Sequence, residues 1–273
     1  MAWELNVPKI LHVYWGGSPL SYIRFMTVKS FMKYNPDWEV RLYYPAQPNT
    51  NITWGSGENE IFTDYKDYLP ELMDLVTTKF PVDFRRYGFN NDMPEVHKSD
   101  FIRLEQLSTV GGVWSDMDVL YFKPMDSLYL NIPVNKHTRT FYCNHIYGHS
   151  IGFLMSSGRN DFFRTLVKIS KKEYHPGSYQ AIGVIIWNRY FREEAAINII
   201  TPAINFDMNV VYSYDARYIS EILEPSNDRF TEKSIGIHWY GGHPMWGTFV
   251  KETNGGSDNL PDNLIGNLLK EMQ

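Results

Sequence analysis

Apolar and polar positions sort this chain into strands and helices almost from its first residues. Residues 9–15, KILHVYW, are mostly apolar and end at Gly16-Gly17, as a buried strand does. The amphipathic stretch 20–34 predicts a helix. In 38–44, Trp38, Val40, Leu42 and Tyr44 share one face and Glu39 and Arg41 the other, a half-buried strand. Residues 46–59, rich in Pro, Asn, Thr, Ser and Gly, predict a loop, and a helix is expected over 69–79, before Pro81. Asp92-Met93-Pro94-Glu95 has the form of a capping box with Asp92 as N-cap. The helix it opens should run to about 110 and stop at Gly111-Gly112. The next segment, GGVWSDMDVLYF (111–122), enters a strand that leaves at Pro124. Further strands are expected near 140–144, 151–156, 197–200, 209–213 and 234–240, with helices near 160–173, 179–193 and 262–272. Alternating strands and helices predict an α/β fold, a Rossmann-like mixed sheet, mostly parallel, with helices on both faces. Neither a repeat nor a linker interrupts the pattern, so one domain over 1–273 is expected.

Composition narrows the function. With 43% apolar and 21% charged residues the chain can bury an ordinary core. A net charge of −5 and no basic block exclude a nucleic-acid footprint. The single cysteine, Cys143, excludes an internal disulfide framework and a thiolate zinc site, consistent with a reducing compartment. The first residues, MAWELNVPKILHVYW, do not read as a signal peptide, and no run approaches the roughly 18–20 apolar residues of a membrane span. A cytoplasmic protein without a transmembrane segment is therefore expected. Nineteen Tyr and 8 Trp supply flat faces suited to bases or sugar rings, although most such rings belong to the core.

Candidate chemistry centres on Asp116-Met117-Asp118. Read as extended backbone, positions 116 and 118 project from one face together with Trp114. Two neighbouring carboxylates repel unless a cation lies between them, and two oxygen ligands suit Mg²⁺ or Mn²⁺. The alternative is a solvated turn with two surface acids. Asp100 and Arg103, at i and i+3, share a helix face: a surface ion pair, or a carboxylate for hydroxyls and a guanidinium for phosphate or sugar oxygens. In HWYGGHPMW (238–246), His238 could complete a carboxylate–metal shell or be structural, and Gly241-Gly242 would let backbone N–H groups approach a phosphate.

Three stretches carry a resemblance: HVYWGG near the start, KSDFIRLEQLSTVGGVWSDMDVLYF in the middle and HWYGGHPMW near the end. Together they resemble the DXD-type, GT-A-fold glycosyltransferases, closest to glycosyltransferase family 32 and its "sugar-binding region containing DXD motif" relatives. That group includes capsular polysaccharide transferases and the glucosylating domains of large clostridial toxins. The motifs span about half the chain, and the H-x-x-G-x-x-x-x-W spacing is similar to the metal-histidine segment of family 8. The resemblance implies a single GT-A-like domain that transfers a sugar from a nucleotide donor, UDP- or GDP-linked, to a glycan or protein acceptor. It also implies a divalent metal, Mn²⁺ or Mg²⁺, and retention of configuration.

Residue by residue, the resemblance implies base stacking by Tyr14, with Trp15 as the alternative, just before Gly16. It implies donor-sugar contacts by Asp100 and Arg103, and ribose and sugar hydroxyl contacts by Asp116. Asp118 becomes a direct metal ligand, with Asp116 and His238 in the same metal set. Gly241 and Trp246 fall beside the phosphates or the sugar. Met245 stands where family 8 often has a lysine-proline pair before the tryptophan, which leaves the phosphate-binding lysine without a counterpart. Asn144, His145 and His149 are candidates for sugar or acceptor contacts, and HPGSYQ (175–180) for an acceptor loop. Competing readings are a divalent-metal phosphohydrolase or nuclease, and a nucleotide-sugar-binding protein without catalysis.

Overall fold

The structure, a computed structural model, describes residues 6–16, 19–49, 66–131, 137–145, 148–226, 229–253 and 256–273. Its main sheet joins β1 (Ile10–Tyr14), β2 (Glu39–Pro45), β3 (Thr78–Val82), β4 (Gly112–Ser115), β6 (Thr140–Cys143), β7 (Phe153–Ser156) and β8 (Ala203–Phe206). The order is β3-β2-β1-β4-β7-β6-β8. Strand β7 runs antiparallel to both neighbours, and the other pairings are parallel. A two-stranded antiparallel sheet, β5 (Val119–Tyr121) with β9 (Gly236–His238), sets Val119 opposite His238.

Alternation along the strands feeds two cores. Leu11, Val13, Leu42 and Val113 pack on one face with helices α1 (Tyr22–Tyr34), α2 (Leu69–Leu75) and α8 (Leu264–Glu271). Tyr14, Tyr43 and Trp114 pack on the other with α3 (Glu95–Thr109), α4 (Asp161–Glu173) and α5 (Val184–Phe191). The expected mixed, mostly parallel sheet with helices on both faces is what forms. Buried His12 joins two strands at the centre. Its Nε2 donates to the Gly111 carbonyl at 2.7 Å, and Nδ1 lies 3.0 Å from the Tyr43 hydroxyl. It thereby pins the Gly111-Gly112 turn, whose φ angles of 80° and 106° require glycine, against β1.

Several local expectations differ from the structure. The helix expected over 69–79 ends at Leu75, and 78–82 forms β3. Pro81 is tolerated there because β3 is the outermost strand. Asp92 is not a helix cap: α3 starts at Glu95 after Pro94, and the Glu95 carboxylate is engaged elsewhere. The expected helix 179–193 is shortened to α5. The strand expected at 197–200 is the end of α6 (Glu194–Ile200), with β8 following. A short apolar run such as Ile197–Ile200 satisfies either periodicity, and Ile199 ends up exposed. Segment 209–213 begins in a 3₁₀ turn, yet its Val210 and Val211 carbonyls accept the Ile235 and His238 N–H groups. Helix α7 (Trp246–Thr253) has no counterpart among the expected elements. Most of the expected loop 46–59 lies outside the described residues. Among the described residues no helix is long and apolar enough to cross a membrane.

Candidate active site

Parallel strands β1, β2 and β4 end on one edge of the sheet, and that edge holds the candidate site, as in other open α/β sheets. Asp116 follows β4 directly. The expected extended backbone through 116–118 is replaced by a turn, because β5 leaves the main sheet to pair with β9. The turn buries Met117 in the core and still brings the two carboxylates together.

Asp116, Asp118 and His238 each offer one ligand atom, and these atoms lie within 4.8 Å of one another. Asp116 Oδ1 accepts from Arg103 Nη2 at 2.6 Å and from the Trp114 indole N–H at 2.9 Å. Asp118 Oδ2 accepts the Gly241 N–H at 2.8 Å. Asp118 Oδ1 lies 3.1 Å from His238 Nε2, outside hydrogen-bond geometry, and is buried without a hydrogen-bond partner. An orphaned buried carboxylate oxygen beside a histidine nitrogen fits two ligands aimed at a common cation. Burial would raise the Asp118 carboxyl, but His238, Arg24 and the Gly241 N–H outweigh it and hold it well below the usual range.

Space for an ion is kept by a residue that sequence reading missed. A Cβ on Gly152 would stand 3.1 Å from Asp116 Oδ2 and 3.3 Å from His238 Nε2. Gly152 also fixes Asp116 from the backbone, its carbonyl accepting the Asp116 N–H at 2.8 Å. The two carboxylates suit a divalent cation such as Mn²⁺ or Mg²⁺, and the imidazole suits a transition-metal ion. Local charge agrees: the carboxyls of Asp100, Asp116 and Asp118 face the guanidiniums of Arg24 and Arg103.

Asp100 and Arg103 pair on α3 at 3.3 Å, both buried. Burial pushes the Asp100 carboxyl up to about 7; Arg103 and the Gly183 backbone oppose that, and Asp116 reinforces it. Arg103 also lies over the Trp114 ring, 4.9 Å from its centroid, and its Nε and Nη1 are buried without hydrogen-bond partners. Such donors are costly unless something accepts from them.

The first strand places its aromatics differently from one another. Tyr14 is buried, edge-on to Phe84, and its hydroxyl donates to Glu95 Oε2. Glu95 Oε1 accepts from the Asn49 N–H and from buried Lys98 Nζ, each at 2.7 Å. Gly16 lies on the Glu95 side chain. Trp15 is half-buried, with the Arg24 guanidinium 5.1 Å from its ring centre and equally close to Trp239. Arg24, on α1, was not a sequence candidate, because nothing in a helical stretch marks one cation as facing the site.

At the C-terminal side, Tyr240 adopts φ 54°, a left-handed conformation unusual outside glycine, and the turn it makes aims the Gly241 N–H at Asp118. Its own N–H lies 3.3 Å from His238 Nδ1. Trp246 opens α7, and its side chain lies outside the described residues. Tyr179, in the 175–180 loop, is 46% exposed, and its hydroxyl lies near Gly242. His145 packs near Tyr212, whose ring neighbours His238. His149 is buried away from these ligands, its nitrogens facing Asn144 and the Phe191 and Arg192 carbonyls.

Comparison with known proteins bears on this geometry. Residues 25–135 match the family described as "Glycosyltransferase sugar-binding region containing DXD motif". No curated protein matches the chain by sequence. Among solved structures, the apo glycosyltransferase GlyE of Streptococcus pneumoniae TIGR4 is similar in fold, with a TM-score of 0.51 and 12% identity over 97% of this chain and 63% of that one. The WbbM bifunctional glycosyltransferase is similar at 0.50 and 9% identity, over 100% of this chain and 53% of that one. The chain thus spans less than two thirds of either, and at these identities the likeness concerns the GT-A fold alone. Residues 25–135 thus match a glycosyltransferase sugar-binding region, the fold is similar to that of these GT-A glycosyltransferases, and Asp116-Met117-Asp118 supplies the D-x-D pattern within the matched segment.

Proposed function

We propose that the chain acts as one domain that transfers a sugar from a nucleoside-diphosphate donor, UDP- or GDP-linked, to a glycan or protein acceptor. The proposal includes divalent-metal dependence, retention of configuration and a role in building polysaccharide in the cytoplasm. The observation that carries it is the convergence of Asp116, Asp118 and His238 within 4.8 Å in a DXD-containing region.

In this reading Asp116, Asp118 and His238 hold Mn²⁺ or Mg²⁺. When bound, the ion supplies positive charge where the diphosphate leaves. The remaining roles belong to the chain. Trp114 and Arg103 fix Asp116. The unpartnered Nε and Nη1 of Arg103, with Asp100 beside them, support donor-sugar contacts by this pair. Half-exposed Trp15 is the better base platform, since Tyr14 is buried with its hydroxyl on Glu95. The backbone of Gly241 completes the phosphate side, with Trp246 the further candidate there. Tyr179, with its exposed ring, borders the acceptor side.

The test is incubation with Mn²⁺ and a panel of UDP- and GDP-sugars, with candidate acceptors, read as release of nucleoside diphosphate and, by NMR, as the anomeric configuration of the product. Metal-dependent release supports the proposal. Phosphoester cleavage in place of sugar transfer, or donor binding without turnover for every acceptor, overturns it.

A further inference from the structure

We infer that Arg24 is the protein's own cation for the donor diphosphate, set beside the metal ligands by two indole rings. The inference rests on the transferase reading and adds to it a residue that no motif contains.

The guanidinium carbon of Arg24 lies 5.1 Å from the ring centres of both Trp15 and Trp239. Indole rings this close to a guanidinium attract it and hold it in place. One edge is located by Gly241, whose Cβ, if it had one, would fall 2.3 Å from Arg24 Nη2. Glycine is therefore required for the guanidinium to lie against the backbone there. The same Gly241 gives its N–H to Asp118 Oδ2 at 2.8 Å. A buried cation thus sits at the corner formed by the C-terminal turn and the metal-ligating aspartate. Arg103 pairs through Nη2 with Asp116 and Asp100, at the other acid of the motif. Asp118 would help hold the ion beside the donor diphosphate, and Arg24 next to it would supply positive charge to the same diphosphate. There a guanidinium offers paired donors that a lysine ammonium cannot match in geometry.

The test measures binding of UDP and GDP, each against its nucleoside, in Mn²⁺, to the wild type, Arg24→Lys and Arg24→Gln. Arg24→Gln is expected to weaken the preferred diphosphate about 10- to 100-fold. Nucleoside affinity should stay within about twofold, and Arg24→Lys should fall between. Equal loss for diphosphate and nucleoside would make Arg24 a positioning residue and overturn the inference. Unchanged diphosphate affinity in both variants would do the same. If Arg24→Gln does not fold, Arg24→Lys decides: its diphosphate-to-nucleoside affinity ratio must drop. A wild type that binds neither diphosphate overturns the donor reading itself, a result distinct from the loss of Arg24 alone.

Discussion

His238 Nε2 stands 3.1 Å from Asp118 Oδ1 without sharing a hydrogen bond with it, and that oxygen is buried with no other donor. Two groups so placed are stabilised by a cation between them. Mn²⁺ should therefore raise the thermal midpoint of the wild type by mass action. Asp118→Asn should remove most of that rise and lower Mn²⁺ affinity by more than the roughly 10- to 100-fold typical of outer-shell partners. Thermal unfolding with and without Mn²⁺ measures the first, and calorimetric titration the second. An equal Mn²⁺-induced shift in the variant would remove Asp118 from the ligand set.

Gly152→Ala probes the space rather than the ligands. The new methyl would sit 3.0 Å from the Tyr212 hydroxyl, 3.1 Å from Asp116 Oδ2 and 3.3 Å from His238 Nε2. These contacts are tight but short of a severe clash, so the fold should persist with a loss of about 1 kcal/mol. Mn²⁺ affinity should fall, because two ligand atoms must move apart. Wild-type affinity in a folded Gly152→Ala protein would show that the ion binds elsewhere.

His12 predicts a pH dependence of stability. Its burial lowers the ring to about 4, from an ordinary 6.5, so it stays neutral in the fold while the unfolded chain takes up a proton. The folded pKa is the lower one. The contribution is therefore fully present above about 6.5 and is lost as pH falls towards about 4, by about 3 kcal/mol in all. Asp100, raised to about 7 from 3.8, works in the opposite sense over the same window, so the measurement is a difference. Urea unfolding of wild type and His12→Gln should show the wild type's advantage shrinking between pH 7 and pH 4. A constant gap would mean that the ring is charged in the fold or already neutral in the unfolded chain.

Glu95 and Lys98 form a buried pair under the first strand, with Lys98 fully shielded from water. Glu95→Gln leaves the ammonium uncompensated and should cost about 3 kcal/mol. The double change Glu95→Gln with Lys98→Met should recover much of that loss, since the stranded charge goes as well. Chemical denaturation of the three variants measures the cycle; strictly additive losses would mean that the two side chains are not coupled.

Much of the fold is visible in one-dimensional patterns because the central strands are apolar on the faces they bury. β1, β2, β6 and β7 fall where alternation or apolar runs put them. The misplaced elements are those in which a local signal was ambiguous. Pro81 reads as a helix stop but occupies an outer strand. Ile197–Ile200 reads as a strand but closes a helix. Asp92 and Glu95 have cap spacing, yet Glu95 neutralises a buried lysine instead. The site follows the same division. Residues of the motif were readable because acids that interrupt apolar context are rare. Gly152 and Arg24 were not, because a glycine before a strand and an arginine in a helix look like many others.

From sequence alone came the strand–helix alternation, the paired acids at 116 and 118, the Asp100–Arg103 spacing and the separate histidine at 238: residue types and near-neighbour intervals, which the covalent chain sets directly. Tertiary structure decided which of these meet. Pairing β5 with β9 carries His238 across 120 positions of sequence to Asp118. The approach to strand β7 lays Gly152 beside Asp116 and His238. Packing of α1 beneath the C-terminal turn sets Arg24 against Gly241. Such contacts depend on long-range pairing and burial, and no local pattern encodes a distance between residues so far apart in the chain.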